Sequence, residues 1–242
     1  MIELVDVHKT LGGRQILRGM TLRVPNGQTF VLMGPSGVGK SVTLKHVIGI
    51  LKPDRGSVLV DGQEVPDLDR KGLMALRRRM GYLFQNGALI NWLSVFDNVA
   101  LPLREHARRR GSEVQARVME VLELVGLADA AQQLPARISG GMKLRAGLAR
   151  ALVTEPEYVL YDEPNAGLDP IMADQIHQLI VEVRDRLGVT GLVVTHSRAC
   201  AFDVADRIGV IDNGKIAEEG TLDEMRASST QLVRSFLSGG AD

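Results

Sequence analysis

A continuous, largely apolar run of strand length, Thr29-Phe30-Val31-Leu32-Met33, leads straight into Gly34-Pro35-Ser36-Gly37-Val38-Gly39-Lys40-Ser41. A run of this kind suits a central strand buried on both faces. The loop after it fits the pattern G-x-x-x-x-G-K-S, in which glycines let the backbone approach an anion and turn its N–H groups inward. Val42, Leu44, Val47, Ile48 and Leu51 follow at mostly helical spacing. The helix predicted to start near Lys40 therefore aims its positive end at the same anion. Lys40 is suited to reach the β- and γ-phosphates of a nucleotide as a point charge, and the Ser41 hydroxyl to ligate Mg²⁺.

The rest of the chain supplies the sheet that such a unit needs. Residues 2–7 and 21–24 look like strands, with a turn at Pro25-Asn26-Gly27, and residues 57–61 are another strand turned by Gly62. From about 86 to 140 strand runs vanish, and Val114, Val118, Val121, Leu122 and Val125 mark an amphipathic helix in a helical insertion. Alternation resumes with a strand at 158–161, a helix carrying Ile176, Leu179, Ile180, Val183 and Leu187, a strand at 191–195, and a hairpin over 207–217 tipped by Asp212-Asn213-Gly214. Buried strands alternating with helices predict a parallel α/β sheet. The strand at 158–161 ends in Asp162-Glu163. Carboxylates at the carboxyl end of a parallel strand lie beside the phosphate loop in the crevice of the sheet. Asp162 is suited to hold Mg²⁺ through water, and Glu163 to polarise an attacking water.

Composition narrows the partners. Lys plus Arg and Asp plus Glu are both 29, so the basic surface of a general nucleic-acid binder is missing. A length of 242 residues fits one large domain with an inserted subdomain. The single cysteine, Cys200 between two alanines, reads as a small core residue in a reducing compartment. No apolar run spans a bilayer, and Met1-Ile2-Glu3-Leu4 opens on strand-like sequence rather than a leader. The expectation is a cytosolic protein that can dock on a membrane partner.

Three further elements occur in a fixed order: Gln85 after Tyr82-Leu83-Phe84, Ser139-Gly140-Gly141-Met142 before Lys143-Leu144-Arg145, and His196 after the strand 191–195. With Asp169 in Ala166-Gly167-Leu168-Asp169-Pro170, this order resembles the ATPase subunits of ABC transporters over nearly the whole chain. The resemblance implies an α/β fold with a P-loop NTPase (RecA-like) parallel sheet core, an N-terminal antiparallel β subdomain and an inserted helical subdomain. Residues 1–85 and 141–220 then form the nucleotide-binding core with its β subdomain, 86–140 the helical subdomain, and 221–242 a C-terminal tail. It also implies ATP and Mg²⁺ as cofactors and a homodimer with two ATP molecules at its seam. Leu11 and Gly34 to Val42 (Gly34, Pro35, Ser36, Gly37, Val38, Gly39, Lys40, Ser41, Val42) become nucleotide contacts, and Ser41, Gln85 and Asp162 the metal set. Glu163, His196, Lys40 and Gln85 become the catalytic group. Ser139, Gly140 and Gly141 cover the nucleotide of the other protomer, and Asp169 bridges the two.

Two positions depart from the family. Leu11 stands where an aromatic residue usually stacks on adenine, and Ile16 can offer an apolar face instead. Met142 replaces the usual glutamine. Ser-Gly-Gly-Met, Phe84-Gln85-Asn86-Gly87-Ala88-Leu89, the segment from Ser94 to His106 and the tail Leu232 to Leu237 resemble the ATPases of Mla/Mce lipid-transport systems. That resemblance implies phospholipid cargo, an integral permease and an MCE-type lipid-binding protein as partners, and a place at the cytoplasmic face of the inner membrane. Another cargo, such as an amino acid or lipoprotein, and a soluble cluster-assembly ATPase remain alternatives. Leu89, Ile90, Trp92, Leu93, Val95 and Phe96 are either core of the helical insertion or a groove for a permease helix. Arg77-Arg78-Arg79 and Arg108-Arg109-Arg110 are expected to be solvated faces, and the last twenty or so residues to pack on a partner protomer.

Overall fold

The computed structural model describes residues 1–106 and 111–238, so the Arg108–Arg110 run and residues 239–242 lie outside the described residues. β1 (Ile2–Leu11), β2 (Arg14–Val24) and β3 (Thr29–Met33) come first, then α1 (Lys40–Val47), β4 (Arg55–Val60) and β5 (Gln63–Glu64). Next are α2 (Arg70–Arg78), β6 (Met80–Leu83), α3 (Val95–His106), α4 (Gly111–Leu124), α5 (Gly140–Leu152), β7 (Tyr158–Asp162) and α6 (Pro170–Leu187). The chain continues through β8 (Thr190–Thr195), α7 (Arg198–Val204), β9 (Arg207–Asp212), β10 (Lys215–Gly220), α8 (Leu222–Arg226) and α9 (Gln231–Ser238).

Two sheets form. One is antiparallel in the order β2-β1-β4-β5, and the other runs β10-β9-β3-β8-β7-β6, parallel except for the β9–β10 hairpin. The larger sheet separates two cores, and pleat alternation decides which residue serves which. From β3, Val31 and Met33 join the core shared with α3 to α7, while Phe30 and Leu32 join the core against α1 and the antiparallel sheet. β7 divides likewise, Val159 and Tyr161 from Tyr158 and Leu160. Burial on both faces explains why these strands are apolar throughout rather than alternating. Complete burial of one such side chain contributes about 1.5–3 kcal/mol.

Helix ends follow local chemistry. Asp169 caps α6 by accepting a hydrogen bond from the Met172 N–H at 3.0 Å, Pro170 takes the first position, and Gly188 closes the helix with φ 64°. α1 stops at Val47, earlier than the apolar spacing through Leu51 predicts. Gly49 adopts φ 65°, and the N–H groups of Ile50 and Leu51 fold back on the Lys45 carbonyl.

In the Arg77–Arg79 run, Arg77 and Arg78 are exposed, as expected of a solvated face, while Arg79 is half-buried. Arg77 donates to the Ile48 and Gly49 carbonyls at 2.9 and 3.1 Å, satisfying acceptors left where α1 ends, and Arg79 pairs with Asp61 and Glu157. In the tail, Met225 and Val233 enter this chain's own larger core, and Leu232 and Phe236 pack on it. The Leu89–Phe96 group divides: Val95 is fully buried, Leu89 and Phe96 pack on the core, and Trp92 stands 81% exposed.

Candidate active site

β3 ends at Gly34, and the loop from there to Gly39 turns at the carboxyl edge of the parallel sheet. Gly39 is required at the entry to α1. Its φ is 118°, and a Cβ there would meet Leu17 Cδ2 at 2.8 Å. The turn brings the Lys40 ammonium back over its own loop, where Nζ donates to the Gly34 and Pro35 carbonyls at 2.9 and 3.1 Å. Only 6% of the Lys40 side chain is exposed, and Nζ lies 3.2 Å from Glu163 Oε1.

Glu163 reaches this place through an uncommon backbone conformation. It follows β7 with φ 50°, left-handed for a side chain larger than glycine, and its N–H donates to the Val194 carbonyl at 2.9 Å. Its Oε2 accepts from the Thr195 hydroxyl and the His196 N–H, both at 3.2 Å, and lies 2.8 Å from His196 Nδ1. The carboxylate is thus held from two sides, by α1 through Lys40 and by the end of β8 through Thr195 and His196.

Asp162, one residue earlier, points to the other part of the site. Its Oδ1 accepts from Ser41 Oγ at 2.7 Å, and its Oδ2 accepts from the Tyr82 hydroxyl at 3.0 Å. Burial, with the Asp162 charge beside it, pushes the Tyr82 hydroxyl well above the usual phenol range and keeps it a donor. Ser41 and Asp162 thereby offer hard oxygen donors side by side, the chemistry Mg²⁺ takes. An open cavity of about 310 Å³ joins the pieces, lined by Leu11, Ile16, the loop from Ser36, Lys40, Ser41, Val42, Gln85, Glu163 and His196. Leu11, 37% exposed, and Ile16 both border it. Pro35 and Val38 lie in the loop itself, bordering an adjoining cleft.

The remaining positions do not join this cavity. Ser139 is exposed and caps α5, accepting from the Met142 N–H at 3.3 Å, beside exposed Gly140 and buried Gly141. Asp169 is exposed at the start of α6. Met142 is half-buried on the larger core.

The parallel sheet with an antiparallel companion, the cradle around Lys40 and the paired carboxylates at the end of β7 converge at one edge of the fold. The ABC transporter family matches residues 17–166 of the chain. This chain belongs to the ABC transporter ATP-binding family. It binds ATP and hydrolyses it as a transporter subunit. Among relatives, it is 43% identical over 238 residues to the probable ribonucleotide transport ATP-binding protein mkl of Mycobacterium leprae, covering 98% of this chain and 69% of that protein. It spans about two thirds of the length of the mycobacterial relatives. It is 41% identical to the intermembrane phospholipid transport system ATP-binding protein MlaF of Escherichia coli, over all 242 residues and 90% of that protein. A dimeric ATP-binding cassette in a post-hydrolysis state with ADP and Pi superposes with a TM-score of 0.84 at 33% identity, covering 92% of this chain and 99% of that one.

Three groups that the sequence reading did not single out shape the site. Tyr82 orients Asp162; its signal is a tyrosine in a strand beside the one that ends in Asp162, since a buried hydroxyl seeks a partner. Thr195 holds Glu163. Arg150 of α5 holds the segment after Gln85. Asn86, Gly87 and Ala88 all have positive φ, at 59°, 74° and 43°, and the carbonyls of Gly87 and Ala88 accept from Arg150 at 2.8 and 2.9 Å. A Cβ on Gly87 would lie 2.3 Å from the Lys143 carbonyl oxygen, so only glycine permits this approach to α5.

Proposed function

We propose that this protein is the ATPase of a Mla/Mce-type phospholipid transporter, working as a homodimer against an integral permease at the cytoplasmic face of the inner membrane, with an MCE-type lipid-binding protein in the complex. The observation that carries the reading is full-length identity of 41% to the phospholipid-system ATPase of Escherichia coli. The exposure of Ser139, Gly140 and Asp169 outside the chain's own cavity supports the dimer, because these groups are free to complete a site on a second copy. No helix among the described residues is long and apolar enough to cross a membrane, so a peripheral subunit requires a separate membrane partner.

In this reading Gly34 to Val42 and Lys40 bind the phosphates of ATP, and Leu11 contacts the base. Ser41, Asp162 and Gln85 hold Mg²⁺, which when bound screens the charge of the β- and γ-phosphate oxygens. Glu163 accepts a proton from the attacking water, and His196 donates a hydrogen bond to the γ-phosphate as charge develops. Lys40 leaves Glu163 for the phosphates, which frees the carboxylate to act as base. Trp92 and the apolar groups beside it receive a permease helix.

The mycobacterial relatives named for ribonucleotide transport support a second reading with a different cargo. Purification from membranes, followed by identification of co-purifying subunits and bound lipid, separates the two. The phospholipid reading expects an integral partner, bound phospholipid, and ATPase activity in the reconstituted complex that rises with phospholipid. Stimulation by ribonucleotides with none by lipid overturns it.

A further inference from the structure

α6 and α7 begin beside Asp169 and His196, and further along they meet in a second cluster of chemical groups. Asp174 and His177 are three residues apart on α6 and so share one face. Asp203 comes from α7, with Oδ2 at 2.7 Å from His177 Nδ1. One oxygen of each carboxylate and one ring nitrogen all lie within 4.8 Å of one another. The three residues line an open cavity of about 650 Å³ with Gln178, Val181 and Glu182, and none of these six lines the nucleotide cavity.

His177 is the unusual member. Its side chain is 1% exposed, and whichever tautomer it adopts, the buried Nε2 finds no partner among the described residues. A buried Nε2 without a partner also occurs at His46, so the nitrogen that faces the carboxylates is Nδ1, which would take an ion in exchange for its hydrogen bond with Asp203. The His177–Asp203 hydrogen bond accounts for Asp203 but does not involve Asp174. Asp174 and Asp203 are both exposed, and a cation between them would relieve what repulsion solvent leaves. An imidazole with two carboxylates is a donor set for a divalent transition ion, with remaining positions open to water. Mg²⁺ and Ca²⁺ prefer oxygen ligands throughout and match it less well.

We infer that Asp174, His177 and Asp203 form a binding site for a divalent transition-metal ion of the zinc class, distinct from the nucleotide cavity. Its occupancy ties α7 to α6, and through their first turns links the segment at Asp169 to the segment at His196.

The test is calorimetric titration of the full chain with Zn²⁺, free of nucleotide and Mg²⁺, with Co²⁺ absorption reporting imidazole coordination. One zinc per chain is expected, with a Kd at or below about 10 µM and a rise in Tm of roughly 5 °C at ~100-fold excess over Kd. Asp174→Asn changes an exposed side chain and leaves the fold intact; it and Asp203→Asn should each weaken zinc binding by about tenfold or more. Asp162→Asn, in the nucleotide cavity, should leave it unchanged. Absence of binding up to about 100 µM, equal affinity in Asp174→Asn, or loss in Asp162→Asn overturns the assignment.

Discussion

Glu163→Gln separates the Lys40 pairing that the structure shows from the role as base proposed for the same carboxylate. Without nucleotide, Glu163 lies against Lys40; in the proposed mechanism, nucleotide draws Lys40 away and leaves the carboxylate to the water. The 3.2 Å pair is worth ~5 kcal/mol gross at an effective dielectric of about 20. Both side chains are largely buried, at 6% and 12% exposure, and desolvation offsets most of that gain, leaving about 1–2 kcal/mol net. Glutamine keeps the shape but loses the charge, and with its carbonyl toward Thr195 and His196 its amide NH2 faces the Lys40 ammonium as a second donor. The nucleotide-free variant should therefore melt about 2–8 °C lower for a chain of 242 residues. ATP restores a counter-charge to Lys40, so the same energy returns as affinity and ATP binds about 5–30-fold tighter. Hydrolysis falls by about 10²–10⁴-fold with the base removed. Thermal melts without nucleotide, calorimetry with ATP and phosphate-release kinetics read the three quantities. If hydrolysis collapses while the melting temperature and ATP affinity stay at wild-type values, the Lys40–Glu163 pair does not hold the free protein, and the reasoning fails.

Lys40→Ala should lose ATP binding by calorimetry, and unchanged affinity would remove Lys40 from the phosphate site. Tyr82→Phe deletes the donor to Asp162 and leaves the ring in place; the Mg²⁺ requirement for nucleotide binding should rise about tenfold with Tm shifted by under about 2 °C, whereas an unaltered requirement denies Tyr82 a positioning role. Gly87→Ala drives a Cβ into the Lys143 carbonyl and should cost about 2 kcal/mol or more in urea unfolding; a neutral effect would mean the segment after Gln85 does not rest on α5.

What sequence made legible was local or periodic. The loop at Gly34–Ser41 needs only its own glycines and a strand before it, and α1 does begin at Lys40. The runs Thr29–Met33 and Tyr158–Tyr161 announced strands buried on both faces because each residue had to be apolar for one core or the other. The hairpin tip at Asp212-Asn213-Gly214 joined β9 to β10 as expected, with Asn213 and Gly214 at φ 47° and 76°. Less legible was whatever depends on partners distant in the chain. The first half of β2, Arg14 to Gly19, sets its apolar Ile16 and Leu17 side by side instead of alternating, and it becomes a strand because β1 pairs with it. The arginines of α2 are solvated as expected, but that Arg77 also closes the end of α1 is not written in its local pattern. Arg150 lies 62 and 63 residues from the carbonyls it holds, and no local pattern encodes that. Tyr82 and Thr195 escaped notice for the same reason: their hydroxyls have meaning only once Asp162 and Glu163 lie alongside.

The grip of Arg150 has a mechanical corollary. Two carbonyl anchors and a glycine backbone pressed on α5 leave the turn after Gln85 little freedom to swing by itself. In the proposed complex, a push delivered there by the membrane partner travels along α5 to its first turn, where Ser139 is exposed. Cargo-side force and closure over a neighbour's nucleotide would then be one displacement of one stiff strut, with no relay of separate steps between them.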